Sequence, residues 1–484
     1  MSNLTDLLPA GAGGKQVSFV ASGTIGNGVT VALKTDGTVE AIALAAQTVG
    51  SPTVFEPASS GYTIPVYDSA NNKIVIGYRD QGNSGYGTAI VGTVSGTSIS
   101  FGTPVVFQSE GIFYITGTYD SANGKVIYAY INSGASSDDT AVVGTVSGTS
   151  ISFGTPVVFD LASSQSLSAT YDSINEKVVI AFRDTNNNQW GTAIVGTVSG
   201  TSISFGTKVV FAYVYSNGIS ATYDSVNGKT VFAYLNDDAN NRGDCIIGTV
   251  SGNSISFGTA TVFESTTNIS NIAVTYDSTN ERVVVAYKDS GNSNYGTAKV
   301  GTVSGTGISF GPKTVFDSSA SEFMQATYDF ANNKVVIAYR SYSVGSPYGM
   351  LVVGTVSGTS ITFGSPVVFE SSNLASPYGI TFDSNQNKMV IAYVDVSNSS
   401  YGTAVVFQNQ STNNTDFIGI TDAAISNAAS GSVTIKGGIS TNVTGLTPNA
   451  TYYVQADGTL STTASDVLAG KALSSTSINL DYTT

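Results

Sequence analysis

Apolar and polar positions follow one pattern seven times along most of the chain. A Tyr-Asp or Phe-Asp pair begins at Tyr67, Tyr119, Tyr171, Tyr223, Tyr276, Tyr328 and Phe382, at intervals of 52, 52, 52, 53, 52 and 54 residues. Each copy holds four short apolar runs: one ending in the YD pair, one such as KVVIAFRD, one such as GTAIVGTVSG and one such as SISFGTPVVF. β-branched and aromatic runs bounded by Gly, Asn, Asp and Ser predict strands joined by tight turns, and roughly 40 to 50 residues per four-stranded unit is the period of a propeller blade. The second run, as in residues 178–182, is apolar on both alternating faces, as befits a strand buried between two neighbouring units.

The seventh copy has its FD pair, KMVIAYVD and YGTAVVF, but the pattern stops near Gln408 without a fourth run. The missing run stands at the front: VGSPTVF (49–55) matches FGTPVVF (101–107) and has no complete unit before it. The expectation is an all-β chain: a seven-bladed β-propeller over 48–407, closed by an N-terminal strand that covers an otherwise open sheet edge. Residues 1–47 read as a β-rich anchoring arm and 408–484 as a small β-domain. The two end regions echo each other, since GVTVALKTDGTVEA (28–41) and ATYYVQADGTLSTT (450–463) both read strand, Asp-Gly turn, strand.

If the four strands run up and down, the connections fall into two groups. The turns DS-x-N-x-K and SGTS barely change between copies and lie at one end. The second-to-third loops and the repeat-to-repeat loops lie at the other, and there the copies disagree. This variable end carries aromatic and acidic residues: Phe113, Tyr114, Trp190, Tyr213, Tyr215, Asp237, Asp238, Phe323, Tyr342, Tyr348 and Tyr378. Flat rings interleaved with carboxylates and amides suit a glycan or a protein surface. Trp190 aligns with Tyr86 and Tyr295, which also fits plain packing in a shared slot. The segments before Val49 and after Phe407 are both expected at the constant end.

Composition narrows the chemistry. With 19 Lys+Arg against 33 Asp+Glu, the formal net charge of −14 opposes binding to nucleic acid or to an anionic membrane surface. The chain contains no histidine, which removes Ser-His-Asp and Cys-His catalysis and the commonest zinc ligand. The single cysteine, Cys245, stands where other copies place a small apolar residue and reads as a buried thiol. No segment is apolar enough to insert in a membrane, and the first residues lack the features of a secretory signal. Glycoside hydrolysis needs two facing carboxylates, and Asp80, Asp184, Asp289 and Asp395 are the candidates. Each recurs at one repeat position, often beside Arg79, Arg183 or Lys288, which favours a capping or ion-pair role and a chain that is not an enzyme. The one-carboxylate DS-x-N-x-K turn falls short of a calcium site. No metal and no cofactor are expected.

The C-terminal GITDAAISNAASGSVTI, GLTPNATYYVQADGTLSTT and AGKALSSTSINL resemble the end module of structural proteins of tailed bacteriophages, especially marine ones. The YDS-x-N-x-KVVIAYRD and YGTA-x-VGTVSG repeat is similar to repeats of the same virion and tail-fibre-like proteins. The resemblance implies a virion structural protein assembled in the host cytoplasm. It would be attached to other virion proteins through 1–47 and 408–484, with the propeller outward for binding a host-surface glycan or protein, and with self-association of the ends left open. A capsid decoration or head-fibre protein and a free lectin-like protein are the alternatives.

Overall fold

The computed structural model describes residues 15–134, 137–161, 164–265, 268–343, 347–372 and 374–480, without the side chains of 374–378. Among these residues regular structure is β-strand, broken only by single-turn 3-10 segments. The chain divides into two compact units, one of residues 48–409 and one that joins 1–47 to 410–484.

In the larger unit the third repeat shows the plan. Its first three strands, Gln165–Asp172, Lys177–Asp184 and Trp190–Ser199, pair antiparallel in sequence order. The fourth comes in two pieces. Ser202–Phe205 pairs with one half of the third strand, and Val209 and Val210 pair with Ala193 and Thr192 in the other. Between the pieces the Gly206 N–H still reaches the Val195 carbonyl at 2.9 Å. The second piece does not stop. The 16-residue strand Val209–Asp224 closes one repeat and then pairs with Lys229–Asn236 as the first strand of the next.

Second strands form the core, as their two-sided apolar pattern predicts: Val178, Val179, Ile180, Ala181 and Phe182 are all fully buried. Each large side chain so buried contributes about 1.5–3 kcal/mol. Apolar clusters lie between consecutive repeats, such as that joining Val179 and Phe211 to Phe232 and Ile246. A cluster of the same kind joins Val390, Ala392 and Val406 of the last repeat to Ile74, Ile76 and Tyr78 of the first. The N-terminal segment pairs with the seventh repeat as expected, with Thr53 opposite Ala404, Val54 opposite Thr403 and Val49 opposite Phe407.

The constant turns are held by one device. In the turn after Asp172, one carboxylate oxygen accepts the Asn175 backbone N–H at 2.9 Å and the other accepts its side-chain amide at 2.8 Å. Locally bonding Asp and Asn side chains stabilise such turns. The tyrosine of the following repeat adds a bond: Tyr119, Tyr171 and Tyr223 accept N–H groups from the turns of the preceding repeats. Phe382 has no hydroxyl to offer the sixth turn, and there the Asn409 amide reaches Asp329 at 3.0 Å. The glycine of FGT is dictated by contact. A Cβ on Gly206 would lie 1.8 Å from the Asn253 carbonyl oxygen of the next repeat.

The smaller unit departs from the sequence reading of two separate end regions. Gln16–Val20 pairs with Ser430–Ile435, and Thr30–Leu33 pairs with Phe417–Thr421, so arm and C-terminal segment share one five-stranded sheet. A second five-stranded sheet comes from the C-terminal segment alone. Neither segment can bury its own apolar face, and Ala32 and Ile42 pack with Phe417, Tyr452 and Val454. Both expected hairpins are present, and Asp36 and Asp457 brace them identically, each accepting the N–H and hydroxyl of the threonine two residues on.

Candidate functional site at the variable end of the repeats

Strand register sorts the connections. The turn between Asp68 and Lys73 and that between Ser95 and Ser98 lie at one end of the first repeat, while the loop between Asp80 and Tyr86 lies at the other. The chain enters and leaves this unit at the first of these ends, where Thr48 lies opposite Gln408. Toward the variable end each first strand carries a bulge, and in six of the seven a left-handed residue stands at one repeat position: Tyr62, Tyr114, Ser166, Gly218, Asn271 and Phe323. Such a backbone costs a non-glycine residue about 1–3 kcal/mol, and the bulge re-aims the side chains around it. Between the bulges and the constant turns the first strands line a cavity of about 510 Å³, with Thr118, Thr170, Thr222 and Thr381 among its lining residues.

Most of the expected residues gather into three groups, each around an arginine. In the first, the Arg79 guanidinium lies 4.3 Å from the centre of the Phe113 ring. Tyr62 packs edge-on against Phe113 and tilted against Tyr114, which is 42% exposed. In the second, Arg183 stacks over Tyr215 at 5.0 Å and donates to its hydroxyl at 3.1 Å. Asp238 accepts the Tyr215 backbone N–H, and burial raises the Asp237 carboxyl pKa against the pull of Arg183. Trp190 is half-buried and meets Tyr213 edge to face at 5.0 Å, while Tyr213 itself is 71% exposed. Trp190 thus fills the aligned slot and supports an exposed neighbour.

In the third group Arg340 covers Phe323 at 4.5 Å and reaches Glu322 at 2.6 Å and the Tyr342 hydroxyl at 2.8 Å. Lys288 binds the other Glu322 oxygen at 2.9 Å. Burial works to raise the Glu322 pKa, but Arg340 and Lys288 outweigh it and hold the carboxyl below its usual range. Tyr348 sits half-buried opposite Ser341, outside this network. The Tyr378 side chain lies outside the described residues.

The recurrent Asp residues take the expected capping or ion-pair roles, but not with Arg79, Arg183 or Lys288, the cations that precede three of them. Adjacent strand residues point to opposite faces. The cation faces the first-strand bulge, and the Asp faces the junction with the preceding repeat. There Asp184 and Asp289 accept Lys208 and Lys313, each at 2.8 Å, and the same lysines reach Asp160 and Glu264. Asp80 and Asp395 instead cap the 3-10 turns that follow them, which fits the capping reading.

Sequence reasoning passed over Tyr62 and the part played by Arg79, Arg183, Arg340 and Glu322. The signal was present in the alignment of the copies, since the position before the end of the second strand is a cation in four copies and aliphatic in three. Among the described residues no group of three or more His, Cys, Asp or Glu is placed to hold a metal ion, and no helix is long and apolar enough to cross a membrane.

No protein-family model matches the chain, and no curated protein matches it. Solved structures do. A protein of unknown function from Dyadobacter fermentans is similar over 67% of this chain and 99% of its own, with 11% identity and a TM-score of 0.43. The leech intramolecular trans-sialidase, solved with 2,7-anhydro-Neu5Ac, is similar over 75% of this chain and 70% of its own, with 7% identity and the same TM-score.

Proposed function

We propose that residues 48–409 form a seven-bladed β-propeller closed by the N-terminal strand, and that the chain is a structural protein of a tailed-phage virion. Through this propeller the protein presents one variable end for binding to a host-surface glycan or protein. Closure is supported by the pairing of Val54 with Thr403 and by the apolar cluster that joins the last repeat to the first. The binding reading rests on one observation: the connections that barely change lie at one end of the strands, and those that differ lie at the other with the aromatic groups. A scaffold under uniform packing constraints has no reason to vary at one end only, whereas a binding surface does. Placement in a virion is supported by the resemblance of the repeat and of the C-terminal segment, with residues 1–47 and 410–484 as the attachment to other virion proteins.

Imaging of intact particles by cryo-electron microscopy tests the placement. Propeller density at the tail with the loops of Trp190, Tyr213 and Tyr342 outward is the expected result. Density repeated over the head would assign a decoration protein, and absence from particles would overturn the virion reading. For the binding reading, purified full-length protein should adsorb to host cells and compete with particles; no adsorption would overturn it.

A further inference from the structure

The junction between the third and fourth repeats differs from the other six in a way that opens a groove. Elsewhere the residue after the closing phenylalanine is Glu56, Gln108, Asp160, Glu264, Asp317 or Glu370; here it is Ala212. Elsewhere the residue that precedes the final strand piece is a proline or a lysine, and Lys208 and Lys313 fill their junctions by bridging two carboxylates. Here it is Ala260, and the Asp that such a lysine would meet is Asn236. The acid or glutamine and the lysine or proline of the other junctions are thus both replaced by alanine, and Asn236 stands in place of the Asp found at the two lysine-filled junctions. The result is a groove of about 550 Å³ lined by Ala212, Tyr213, Tyr234, Asn236, Arg242 and Asp244, among others.

One buried polar atom at this groove lacks a partner, and one tyrosine hydroxyl beside it lacks its usual acceptor. Tyr78, Tyr287 and Tyr393 donate to Glu56, Glu264 and Glu370 at 2.8–3.0 Å. Tyr234 occupies the same position and is 2% exposed, but Ala212 stands where the acid would be, so its hydroxyl lacks that acceptor. Asn236 is 5% exposed; its amide nitrogen donates to Asp244 at 2.9 Å, while its Oδ1 is buried without a partner. A buried oxygen left unpaired, as Asn236 Oδ1 is, costs free energy that a hydroxyl-bearing ligand would recover.

The floor also constrains ligand charge. Arg242 and Asp244 replace the aromatic residue and the threonine or methionine found at these positions in most other repeats. They form a two-pronged pair, Nε to Oδ1 at 2.7 Å and Nη2 to Oδ2 at 2.8 Å. Their charges cancel, so neither an anion nor a cation gains from the floor. The wall carries the exposed ring of Tyr213, a platform for the apolar face of a ring-shaped ligand. A volume of this size lies within the roughly 300–1,000 Å³ of small-molecule sites.

We infer that the groove between the third and fourth repeats binds a neutral hexopyranose unit of a surface glycan, with Tyr213 against the sugar face and Tyr234 and Asn236 bonding its hydroxyls. This names the ligand class of the binding reading above and rests on it.

The test is saturation-transfer NMR on the full-length protein with methyl glucoside, galactoside and mannoside, and with N-acetylneuraminic acid as the anionic comparison. At least one neutral hexoside should bind and the anionic sugar should not. The key variant is Ala212→Glu, which restores the glutamate of the other junctions and gives Tyr234 its usual partner, so it should fold as well as the parent. It should weaken hexoside binding by about tenfold or more, equivalent to about 1.4 kcal/mol, and Tyr213→Ala should do the same without touching the buried groups. No hexoside binding, preference for the anionic sugar, or binding unchanged in both variants would overturn the inference. Adsorption of the same protein to host cells would still stand or fall separately, which keeps failure of this site distinct from failure of the binding reading.

Discussion

The backbone N–H of Asn385 lies 3.2 Å from the hydroxyl of Tyr67, across 318 residues of chain. The same bond joins neighbouring repeats elsewhere, as from Ala122 to Tyr171. The last repeat therefore treats the first as the next in line. Tyr67 also donates to Asn72 at 3.0 Å. Tyr67→Phe should lower stability in urea by about 1 kcal/mol, the usual net worth of such a bond. The loss should be no smaller than that of Tyr171→Phe, since Tyr171 accepts the matching N–H from Ala122 but has Glu176 where Tyr67 has Asn72. A much larger effect at Tyr67 would mark the first-to-last junction as a distinct, weaker seam.

Steric fit makes a sharper test. Gly206 faces the Asn253 carbonyl at a distance that no Cβ tolerates, whereas a Cβ on Gly364, at the same repeat position, would come no nearer than 3.8 Å to the Val353 carbonyl oxygen. The difference follows from the seventh repeat, which has no SGTS turn to press on Gly364. Gly206→Ala should cost about 1–3 kcal/mol, as overpacking does, and Gly364→Ala should leave the thermal midpoint nearly unchanged. Equal losses would show that the glycine is required for its backbone and not for the contact.

Asp139 stands where the other six repeats carry glycine, and it is fully buried. Burial pushes its pKa from 3.8 up to about 8, and nearby Asp160 and Asp184 add to the shift while bonds from Ser164 oppose it. The folded-state value lies above that of the unfolded chain, so between the two the native state holds the extra proton. This site's contribution to stability therefore falls as pH rises toward about 8 and is constant beyond. Asp139→Asn should raise the thermal midpoint, and the gain should be greater at pH 8 than at pH 5. A gain independent of pH would mean that the carboxyl does not titrate in this range.

Cys245 is fully buried, and burial, with Asp244 adjacent, raises its thiol pKa well above the ordinary value. Thiolate is the reactive form. Native protein should therefore resist a thiol-specific reagent such as DTNB, and labelling in guanidinium should follow unfolding. Rapid labelling under native conditions would place the thiol in an accessible site.

The repeat itself was legible because its constraints are local. Val178 to Phe182, the Asp172–Asn175 turn and the Asp36 and Asp457 hairpins depend on residues close in sequence, and each is present. The partner of the seventh repeat was also legible, since VGSPTVF had no other place to go. The candidate site was readable only in part. Position on the variable end followed from strand direction, but the association of Phe113 with Arg79 and of Phe323 with Arg340 depends on bulges that re-aim side chains and leave no mark in an apolar pattern. Sequence adjacency of Arg79 and Arg183 to Asp80 and Asp184 says nothing of contact, since alternation along a strand turns neighbouring side chains to opposite faces. The joining of the two end regions was hidden for another reason: Gln16 and Thr434 have no local signal that connects them.

That last pairing bears on how the protein is made. At a synthesis rate of about 5–20 residues per second, Thr434 follows Gln16 from the ribosome by roughly 20–80 s. Throughout that interval the first strands to emerge have no sheet to join, and the segment at Val54 likewise waits for Thr403. Pairing of these first strands is thus a late event in the folding of each unit, and until Thr403 and Thr434 have been made the early strands must be kept from associating with copies of the chain.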